Sequence, residues 1–341
     1  MRKLATIRKI DSINPIEGAD AIEVATVGGW KVVVKKGEFA VGDLAVYLEI
    51  DSWVPTELAP FLSKGKEPRE FEGVKGERLR TVKLRGQLSQ GLLLPIDILP
   101  CDDDFNGPWS EEEDVSELLN IHKWERPMNA QLAGMARGNF PSLIPKTDQE
   151  RVQNLKKEIS AAAEAGSKFE VTEKLEGSSM TVYRIRGEFG VCSRNIDLKE
   201  EGGTTFWQVA RELDIESKMV AVNEDWDFAI QGELIGPTIQ GNIYNLTKPE
   251  FYVFDVYNIR QGRYLDPAGR RELIERMGLK HVPVIAVDKD VRINDVQEIL
   301  AWAEGKSKLN EKQEREGIVF KEVNGGMAFK AISNKYLLGE K

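Results

Sequence analysis

Four short segments in the second half of the chain bring together lysine, arginine and carboxylate side chains. In chain order they are Lys174-Leu175-Glu176-Gly177, Ser193-Arg194-Asn195, Gly232-Glu233-Leu234 and Glu316-Gly317-Ile318-Val319-Phe320-Lys321, with Phe329-Lys330 close behind. The sequence holds only two histidines, His122 and His281, and two cysteines, Cys101 and Cys192. Any nucleophile or acid–base group is therefore expected among the lysines and carboxylates.

These residue types suit the chemistry of phosphate groups. A lysine amine attacks phosphorus only in its neutral form, which at neutral pH costs roughly 4–5 kcal/mol from a reference pKa of ~10.4. Burial, a second cation nearby or a bound metal ion lowers that pKa. Arginine and lysine stabilise the charge that develops on a phosphate, and Mg²⁺ prefers carboxylate oxygens and retained waters.

Each segment also has a plain structural interpretation. Lysine beside glutamate is common on protein surfaces, so Lys174 alone is also explained as a solvated residue at a strand end. Glu233 and Glu316 are equally ordinary ion-pair partners, and Phe254, within the apolar run Phe251–Asp255, also suits a hydrophobic core. The order of the segments along the chain therefore carries more weight than any one of them.

The composition is that of a soluble globular protein. The chain has 341 residues, 41% hydrophobic and 30% charged, which is enough for two domains. No apolar run approaches the ~18 residues of a membrane span, and Met1–Thr6 lacks the features of a signal peptide. Two isolated cysteines argue against a disulfide framework or a zinc site. The expected form is a cytoplasmic monomer that does not engage membranes.

The net charge of −9 argues against a nucleic-acid partner, but its distribution weakens that argument. Residues 102–117 hold eight acids and no bases, so the rest of the chain is close to neutral. The segment Lys75–Arg85 holds five bases and one acid. It is either a phosphate-binding face or a solvated pair of strands.

Residues 1–105 are predicted to form a small β-barrel. The apolar runs Trp30–Val34 and Leu44–Leu48 are rich in β-branched residues, and glycines such as Gly28 and Gly37 supply turns. About five short strands in this length favour an OB-fold, although an SH3-like barrel shows the same pattern.

Residues 106–140 are predicted to link two domains. Ser110 and Glu113 have the spacing of a capping box, which predicts a helix whose acidic first turn complements the helix dipole. The inward residues of that helix would be Val115, Leu118 and Leu119. A second part of the linker, Met128–Pro141, is rich in Gly, Asn and Ala.

Residues 141–341 are predicted to form an α+β domain built on mostly antiparallel sheet. Thr147 and Glu150 form another capping box, which predicts a helix that Gly166 ends. The predicted strands are Thr181–Ile185, Phe228–Gln231, Phe251–Val256, Gly317–Lys321 and Met327–Ala331. The predicted helices farther along are Thr205–Leu213, Arg270–Arg276 and Val296–Glu304.

The ordered segments resemble the motif series of the covalent nucleotidyltransferases, which are ATP-dependent RNA and DNA ligases and mRNA capping enzymes. Every motif has a counterpart within residues 140–335. The resemblance is closest to RNA ligases of the Deinococcus type, which place an OB domain before the nucleotidyltransferase domain. The segment Ile144–Asn154 also resembles that subfamily. DNA ligases and capping enzymes carry the OB domain afterwards, and here the chain stops six residues beyond Lys335.

The fold class that the resemblance implies is α+β, with an OB-type barrel followed by an adenylyltransferase (ATP-grasp-like ligase) domain. It also implies roles for single residues. Lys174 would take AMP from ATP, and its catalytic partners would be Glu233, Glu316, Lys330 and Arg194. The nucleotide contacts would be Glu173, Lys174, Gly177, Arg194, Asn195, Glu233, Phe254, Lys330, Lys146 and Arg151. The ligands of Mg²⁺ or Mn²⁺ would be Glu176, Glu233 and Glu316. Phe254 would stack on adenine, and Glu233 would accept a ribose hydroxyl.

Two positions depart from the family pattern. In many ligases the last motif is K-x-K, but here Lys330 is followed by Ala331 and Ile332, and Lys335 is too far along to replace the second lysine. Glu176 stands where many relatives have aspartate, a change of one methylene that keeps the charge.

The predicted function is that of an ATP-dependent RNA ligase for RNA repair. It would join 3′-OH and 5′-phosphate ends of nicked or broken RNA through lysyl-AMP and RNA-adenylate, with ATP and Mg²⁺ or Mn²⁺. A DNA ligase or capping enzyme is the alternative within enzymes, and the nucleotide that labels the protein would distinguish them. A non-catalytic OB-containing RNA-binding protein is the other alternative, and it would form no covalent adenylate.

Overall fold

The computed structural model describes residues 3–99, 108–125, 132, 134–290 and 296–339. The chain divides into two compact units, Met1–Pro127 and Met128–Lys341. Cys101, the acids at 102–104 and residues 128–131 of the predicted linker lie outside the described residues. No helix in the described ranges is long and apolar enough to cross a membrane.

The N-terminal unit consists of short antiparallel strands. They are β1 (Ala5–Lys9), β2 (Ser12–Pro15), β3 (Ile22–Val27), β4 (Trp30–Lys35), β5 (Leu44–Leu48), β6 (Ser52–Pro55), β7 (Arg69–Phe71), β8 (Val74–Arg78), β9 (Val82–Leu84), β10 (Gln87–Ser89), β11 (Leu92–Pro95) and β12 (His122–Lys123). The sheet orders are β1-β5-β11, β2-β3-β4 and β12-β6-β8-β7, and β9 pairs with β10. Ile7, Val46, Leu48 and Val54 lie at the centre of the core. The strands are more numerous than the five predicted because many of them are only three or four residues long.

The helix predicted from Ser110 is absent from the described residues 108–125. Glu113 accepts the Ser110 amide hydrogen at 3.0 Å, as in a capping box, but the chain then runs along β1 instead of coiling. The Ile7 amide donates to the Glu113 carbonyl at 3.0 Å, and the Val115 amide donates to the Ala5 carbonyl at 3.0 Å. The acidic segment thereby covers an edge of β1 that would otherwise expose unpaired backbone groups. Backbone pairing with β1 is therefore favoured over the helix that the local sequence predicts.

The C-terminal unit carries two sheets and several helices. Its strands are β13 (Ala136–Asn139), β14 (Glu150–Arg151), β15 (Lys168–Lys174), β16 (Ser178–Ile185), β17 (Glu188–Cys192), β18 (Ile196–Leu198), β19 (Phe228–Ile235), β20 (Glu250–Asn258), β21 (Arg263–Tyr264), β22 (Lys280–His281), β23 (Val284–Asp290), β24 (Gly317–Glu322) and β25 (Ala328–Ile332). Its α-helices are α1 (Lys156–Glu164), α2 (Thr205–Glu212), α3 (Ile215–Val222), α4 (Pro267–Arg276), α5 (Val296–Ala303) and α6 (Asn334–Leu338). Short 3₁₀ turns occupy Pro60–Ser63 and Ile96–Ile98 in the N-terminal unit and Val152–Asn154 in the C-terminal unit.

The first sheet of this unit has the order β13-β18-β17-β16-β19-β20-β21, with β22 beside β20, and the second has the order β14-β25-β24-β15-β23. Among the described strands, only β14 with β25 and β20 with β22 pair in parallel. The predicted α+β domain of mostly antiparallel sheet is therefore confirmed, and the five predicted strands and three later helices are present with shifted ends.

The helix predicted from Thr147 begins only at Lys156. Glu150 instead opens the parallel strand β14, and its Oε1 accepts a hydrogen bond from the Asn154 side chain at 2.9 Å. The prediction of the helix end is correct, since Gly166 follows α1 with a φ of +71°.

Each sheet buries one apolar face against helices. Phe169, Val171, Phe320 and Phe329 of the second sheet pack with residues of α1 and α5. Because side chains alternate along a strand, Lys174, Lys321 and Lys330 lie on the opposite face of that sheet.

Candidate active site

Lys174 is the last residue of β15, and its Nζ lies 2.8 Å from Glu316 Oε1. Its side chain is 28% exposed and therefore partly open to solvent. Burial disfavours the ammonium form, but the carboxylates of Glu316 and Glu233 outweigh it and raise the pKa of Lys174. Arg194 acts in the opposite direction on that pKa. Without a ligand, the lysine is therefore held as a cation beside Glu316.

Arg315 fixes the residue that pairs with Lys174. Its guanidinium is buried and donates to the carbonyls of Ala303 at 3.0 Å and Glu304 at 2.7 Å, at the end of α5. The next residue, Glu316, accepts the Ser333 amide on its own carbonyl at 2.9 Å. The end of α5 thus holds Arg315, and Ser333, directly after β25, holds the backbone of Glu316. The role of Arg315 has no motif signal in the sequence.

Glu233 lies on β19, opposite Ser179 and Tyr252. Burial raises the pKa of its carboxyl to about 8; Lys174 and Arg194 oppose this rise and Glu316 adds to it. Gly177 leaves room for this side chain, because a Cβ at Gly177 would lie 2.9 Å from Glu233 Cγ and 2.4 Å from the Leu234 carbonyl oxygen. Gly177 therefore lies beside Glu233, and its predicted contact with the nucleotide stays a prediction.

Phe254 is the extra residue of a β-bulge in β20. Gln231 pairs with Asp255 and Gly232 pairs with Val253, so Phe254 has no partner of its own in the register. Bulges re-aim side chains beside functional sites. Phe254 is half-buried, and its carbonyl accepts a hydrogen bond from Lys321 Nζ at 2.6 Å. The bulge leaves part of the ring accessible, which plain core packing would not require.

Lys330 lies two strands from Lys174, on the same face of the second sheet. β14 places the buried Arg151 in register beside it. Ile332, where many ligases have the second lysine, aligns with Gly317, which aligns in turn with Lys174. Ile332 is buried, so an apolar side chain occupies the position nearest to the nucleophile in this row.

Arg194 and Asn195 join two residues from the segment Ile144–Asn154. Arg194 Nη2 contacts both Asp148 oxygens, at 2.9 and 3.0 Å, and Lys146 Nζ donates to Asn195 Oδ1 at 3.0 Å. Lys146 is therefore brought beside Asn195, another predicted site residue, and its contact with the nucleotide stays a prediction. Asp148 was not predicted, although it lies within a segment that the family resemblance covers.

Glu176 and Glu173 flank Lys174 but are held differently. The Glu176 amide donates to the Tyr244 hydroxyl at 2.6 Å, and its carboxylate is hydrogen-bonded to the Tyr336 hydroxyl. The Glu173 carboxylate accepts the Lys308 amide at 2.7 Å, on the other face of β15 from Lys174. Strand alternation turns the Glu173 side chain away from Lys174, and its predicted contact with the nucleotide stays a prediction.

The three predicted metal ligands do not form a closed metal site. In the part of the chain that the structure describes, no three Asp, Glu, His or Cys side chains converge on one point. Mg²⁺ needs only one or two carboxylates when phosphates and waters complete its shell. Glu233 and Glu316 fit that need, since Glu316 adds to the cost of ionising Glu233 and a cation would relieve it.

Comparisons with known proteins agree with this geometry. A family model described as RNA ligase matches residues 167–336, and an OB-fold domain model matches residues 4–96. No curated protein matches the chain. A structure of Naegleria gruberi RNA ligase with PPi is 46% identical, with 99% of this chain and 98% of that chain covered and a TM-score of 0.90.

Two further structures of that Naegleria enzyme are equally similar. A lysine-to-alanine mutant with ATP and Mn and a glutamate-to-alanine mutant with AMP and Mn are each 46% identical. Each match covers 98% of both chains with a TM-score of 0.90. Identity at this level over nearly the whole chain fixes both the fold and the family. The chain belongs to the RNA ligase family, with an OB-fold domain preceding its nucleotidyltransferase domain.

Proposed function

We propose that this RNA ligase joins 3′-OH and 5′-phosphate ends of RNA at the expense of ATP, with Lys174 as the nucleophile. One observation carries the assignment. Lys174 Nζ lies 2.8 Å from Glu316, and Glu233 and Arg194 are close enough to shift its pKa. Segments that are far apart in the sequence thus converge on one lysine.

The reaction that fits this lysine has three steps. Its neutral amine forms a bond to the α-phosphorus of ATP, and the bond from that phosphorus to pyrophosphate breaks. The AMP then passes to an RNA 5′-phosphate, which frees Lys174. In the last step a 3′-OH attacks that phosphate and AMP leaves. Glu316 is placed to hold the Lys174 proton before attack, and Arg194 and Lys330 are cations suited to the charge on phosphate.

The divalent cation supplies charge neutralisation on the phosphates and orients the leaving group. Glu233 and Glu316 are the residues that would hold it. Phe254 offers an aromatic face for adenine, and we assign further nucleotide contacts to Arg151, Lys146 and Asn195. Structures of the Naegleria enzyme hold ATP or AMP with Mn, which supports the same nucleotide and metal class here.

The subclass and setting are part of the proposal. The order of an OB-fold domain before the nucleotidyltransferase domain supports membership of the Deinococcus-type ligases. We propose a monomer that acts in the cytoplasm on nicked or broken RNA. The buried free thiol of Cys192 is consistent with a reducing compartment.

The experiment is to incubate the protein with α-labelled ATP and Mg²⁺ and to measure label that survives denaturation. Wild type should be labelled, and Lys174→Ala and Lys174→Arg should not be. Lys156→Ala, an exposed lysine at the start of α1, is the control and should be labelled normally. Lys174→Ala should still join RNA that already carries a 5′-adenylate, because that step no longer needs the amine as nucleophile.

Each other outcome points to a different function. Labelling of Lys174→Ala at the wild-type rate would show that another residue is the nucleophile. Labelling by GTP in place of ATP would indicate a capping-type enzyme. RNA binding without any covalent label would indicate a non-catalytic module.

A further inference from the structure

The connection between β19 and β20 is a strained loop. Thr238, Gln240, Asn242 and Asn245 have φ values of +65°, +47°, +42° and +55°. Residues other than glycine rarely adopt this left-handed conformation, and β-branched threonine least of all. Such conformations persist only where the surroundings over-determine them, and they cluster at functional sites.

Side-chain hydrogen bonds hold this loop in its conformation. Asn242 binds Leu246 twice, donating to its carbonyl at 3.0 Å and accepting its amide at 3.1 Å. Asn310, from the segment before Glu316, donates to the Ile243 carbonyl at 2.7 Å. The Tyr244 ring is buried in a small apolar cluster with Leu175. The loop is therefore held by contacts within itself, by Asn310, and by packing against Leu175, the residue after the nucleophile.

The loop forms two hydrogen bonds with the turn that follows Lys174. Tyr244 Oη accepts the Glu176 amide hydrogen at 2.6 Å, and Gln240 Nε2 donates to the Gly177 carbonyl at 3.3 Å. These groups lie on either side of the Glu176 side chain. The backbone that carries this carboxylate is thus fixed independently of any ligand.

A second tyrosine reaches the carboxylate itself. The Tyr336 hydroxyl is hydrogen-bonded to the Glu176 side chain. Tyr336 lies on α6, which Ser333 caps at its N-terminus and Gly339 ends with a φ of +70°. Since β25 leads directly into α6, the strand that carries Lys330 also sets the position of Tyr336.

We propose that Tyr244 and Tyr336 are positioning residues that aim the Glu176 carboxylate at the reacting groups. The inference rests on the proposed function. Tyr244 fixes the backbone of Glu176, and Tyr336 fixes the direction of its carboxylate. A phenol hydroxyl orients the carboxylate without cancelling its charge, as a lysine or arginine would. Glu176 therefore stays able to act on a cation or on a hydroxyl of the RNA.

A double-mutant cycle tests the proposal on sealing of RNA that carries a 5′-adenylate and on ATP-driven sealing. The proteins are wild type, Tyr336→Phe, Glu176→Ala and the double variant, and a second cycle uses Tyr244→Phe. In at least one of the two assays we expect each tyrosine variant to be about tenfold slower, since small errors of position cost rate steeply. In that assay the double variant should be no slower than Glu176→Ala alone, because the tyrosines act through that carboxylate.

Melting curves of the same nucleotide-free proteins give a second readout. Tyr336→Phe should lower the melting temperature in the wild-type background and leave it unchanged when Glu176→Ala is present. Tyr252→Phe is the matched control, because its ring lies in the same apolar cluster as Tyr244 but its hydroxyl binds Glu250 at 2.9 Å. It should seal at the wild-type rate.

Three results would overturn the proposal: effects of Tyr336→Phe and Glu176→Ala that multiply in both assays, a Tyr252→Phe variant as slow as Tyr336→Phe, or a Glu176→Ala variant with normal rates in both assays. Failure of the proposed function itself looks different, because wild type would then take no label from ATP at all.

Discussion

The ammonium group of Lys174 must lose a proton before it can attack a phosphate, and its neighbours oppose that loss. Glu316, together with Glu233 where it is ionised, raises the pKa of Lys174, so the neutral amine is scarce at neutral pH. Glu233, with a pKa raised to about 8, is itself largely protonated there and must ionise before it can bind a cation. Both changes therefore push the rate of adenylate formation upward as pH rises.

The first prediction follows from these two groups. Single-turnover labelling of Lys174 by ATP should rise steeply between about pH 6 and pH 8, approaching tenfold per pH unit where one deprotonation limits the rate. Joining of RNA that already carries a 5′-adenylate is the comparison, because Lys174 is no longer the nucleophile in that step, and its pH dependence should be weaker. Equal slopes for the two reactions would show that the lysine proton does not limit the first step.

Residues with a motif were predictable from the sequence, and residues that support them were not. Lys174, Glu233, Glu316 and Arg194 follow from an ordered series, and the structure brings them together. Tyr336 acts on Glu176 from more than 150 residues away, and a tyrosine has no spacing rule that reveals such a contact. The bulge that frees Phe254 depends on how β20 registers with β19, which no local pattern contains.

Between the two sheets of the C-terminal unit, β15, β20, β22, β24 and α4 meet at a group of buried charges. Arg270 of α4 is buried and binds Glu170 of β15, while Lys321 of β24 pairs with Asp255 of β20 at 2.6 Å. Burial lowers the pKa of Lys321 to about 8, although Asp255 favours its charge. Charges this deep persist because each has a partner, so removing one member leaves the other uncompensated.

His281 of β22 is part of this group as a neutral ring. Arg270 Nε donates to His281 Nε2 at 3.0 Å, and His281 Nδ1 lies 2.6 Å from the Val282 carbonyl oxygen, so the proton belongs on Nδ1. A second proton on Nε2 would face the guanidinium. Burial and then Arg270 lower the pKa of His281 from 6.5 to about 3.

The second prediction is a loss of stability in mild acid. Below pH 6.5 the unfolded chain binds a proton at His281 that the folded chain does not, so this contribution is lost as pH falls towards 3. Between pH 7 and pH 5 the free energy of unfolding should fall by up to about 2 kcal/mol from this residue. Denaturant titrations at both pH values should show a smaller fall for His281→Gln. His122→Gln, in the other unit, is the control and should keep the wild-type fall; identical falls for all three proteins would contradict the assignment.

Element types were predictable where the local pattern and the tertiary partners agree. The strands that begin at Phe228 and Gly317 contain short apolar runs that are mostly buried in a sheet, and both form as predicted. The helix from Ser110 fails because β1 offers an edge that the same residues can pair with. A capping box indicates only the conformation that a segment prefers in isolation. It does not predict pairing with a strand more than 100 residues earlier.

On the scale of the whole molecule, the OB-fold unit offers a basic surface of its own. Its segment Lys75–Arg85 spans β8 and β9 and contains five basic residues, which the sequence alone does not distinguish. The structure separates them. Arg78 pairs with Asp51 at 2.5 Å and stacks on Trp124 at 3.8 Å from the ring centroid, so it holds the unit together. The other four bases, Lys75, Arg80, Lys83 and Arg85, are exposed.

The exposed basic residues lie in or just before a hairpin that can contact a nucleic-acid backbone. β9 and β10 pair with each other through the tight turn at Arg85 and Gly86, whose φ values are +50° and +79°. Val82 and Leu84 on the same strand are 41% and 43% exposed, which leaves apolar side chains beside the bases. Such a surface can contact phosphates through its cationic side chains. It can also contact unstacked nucleobases through its apolar side chains.

The third prediction is that this surface supplies phosphate contacts to RNA. Replacing Lys75, Arg80, Lys83 and Arg85 together by Gln should weaken RNA binding and slow sealing, while labelling of Lys174 by ATP stays normal. Each lost contact to a single strand should reduce the slope of log affinity against log salt by about 0.7, hence by about 3 if all four bind phosphate. Arg78→Gln is the matched control, because it removes one charge from the same segment but breaks the Asp51 pair and the Trp124 stack. It should lower the melting temperature and leave the salt slope nearly unchanged. A four-site variant whose RNA affinity and salt slope equal those of wild type would show that the OB-fold unit binds RNA elsewhere or not at all.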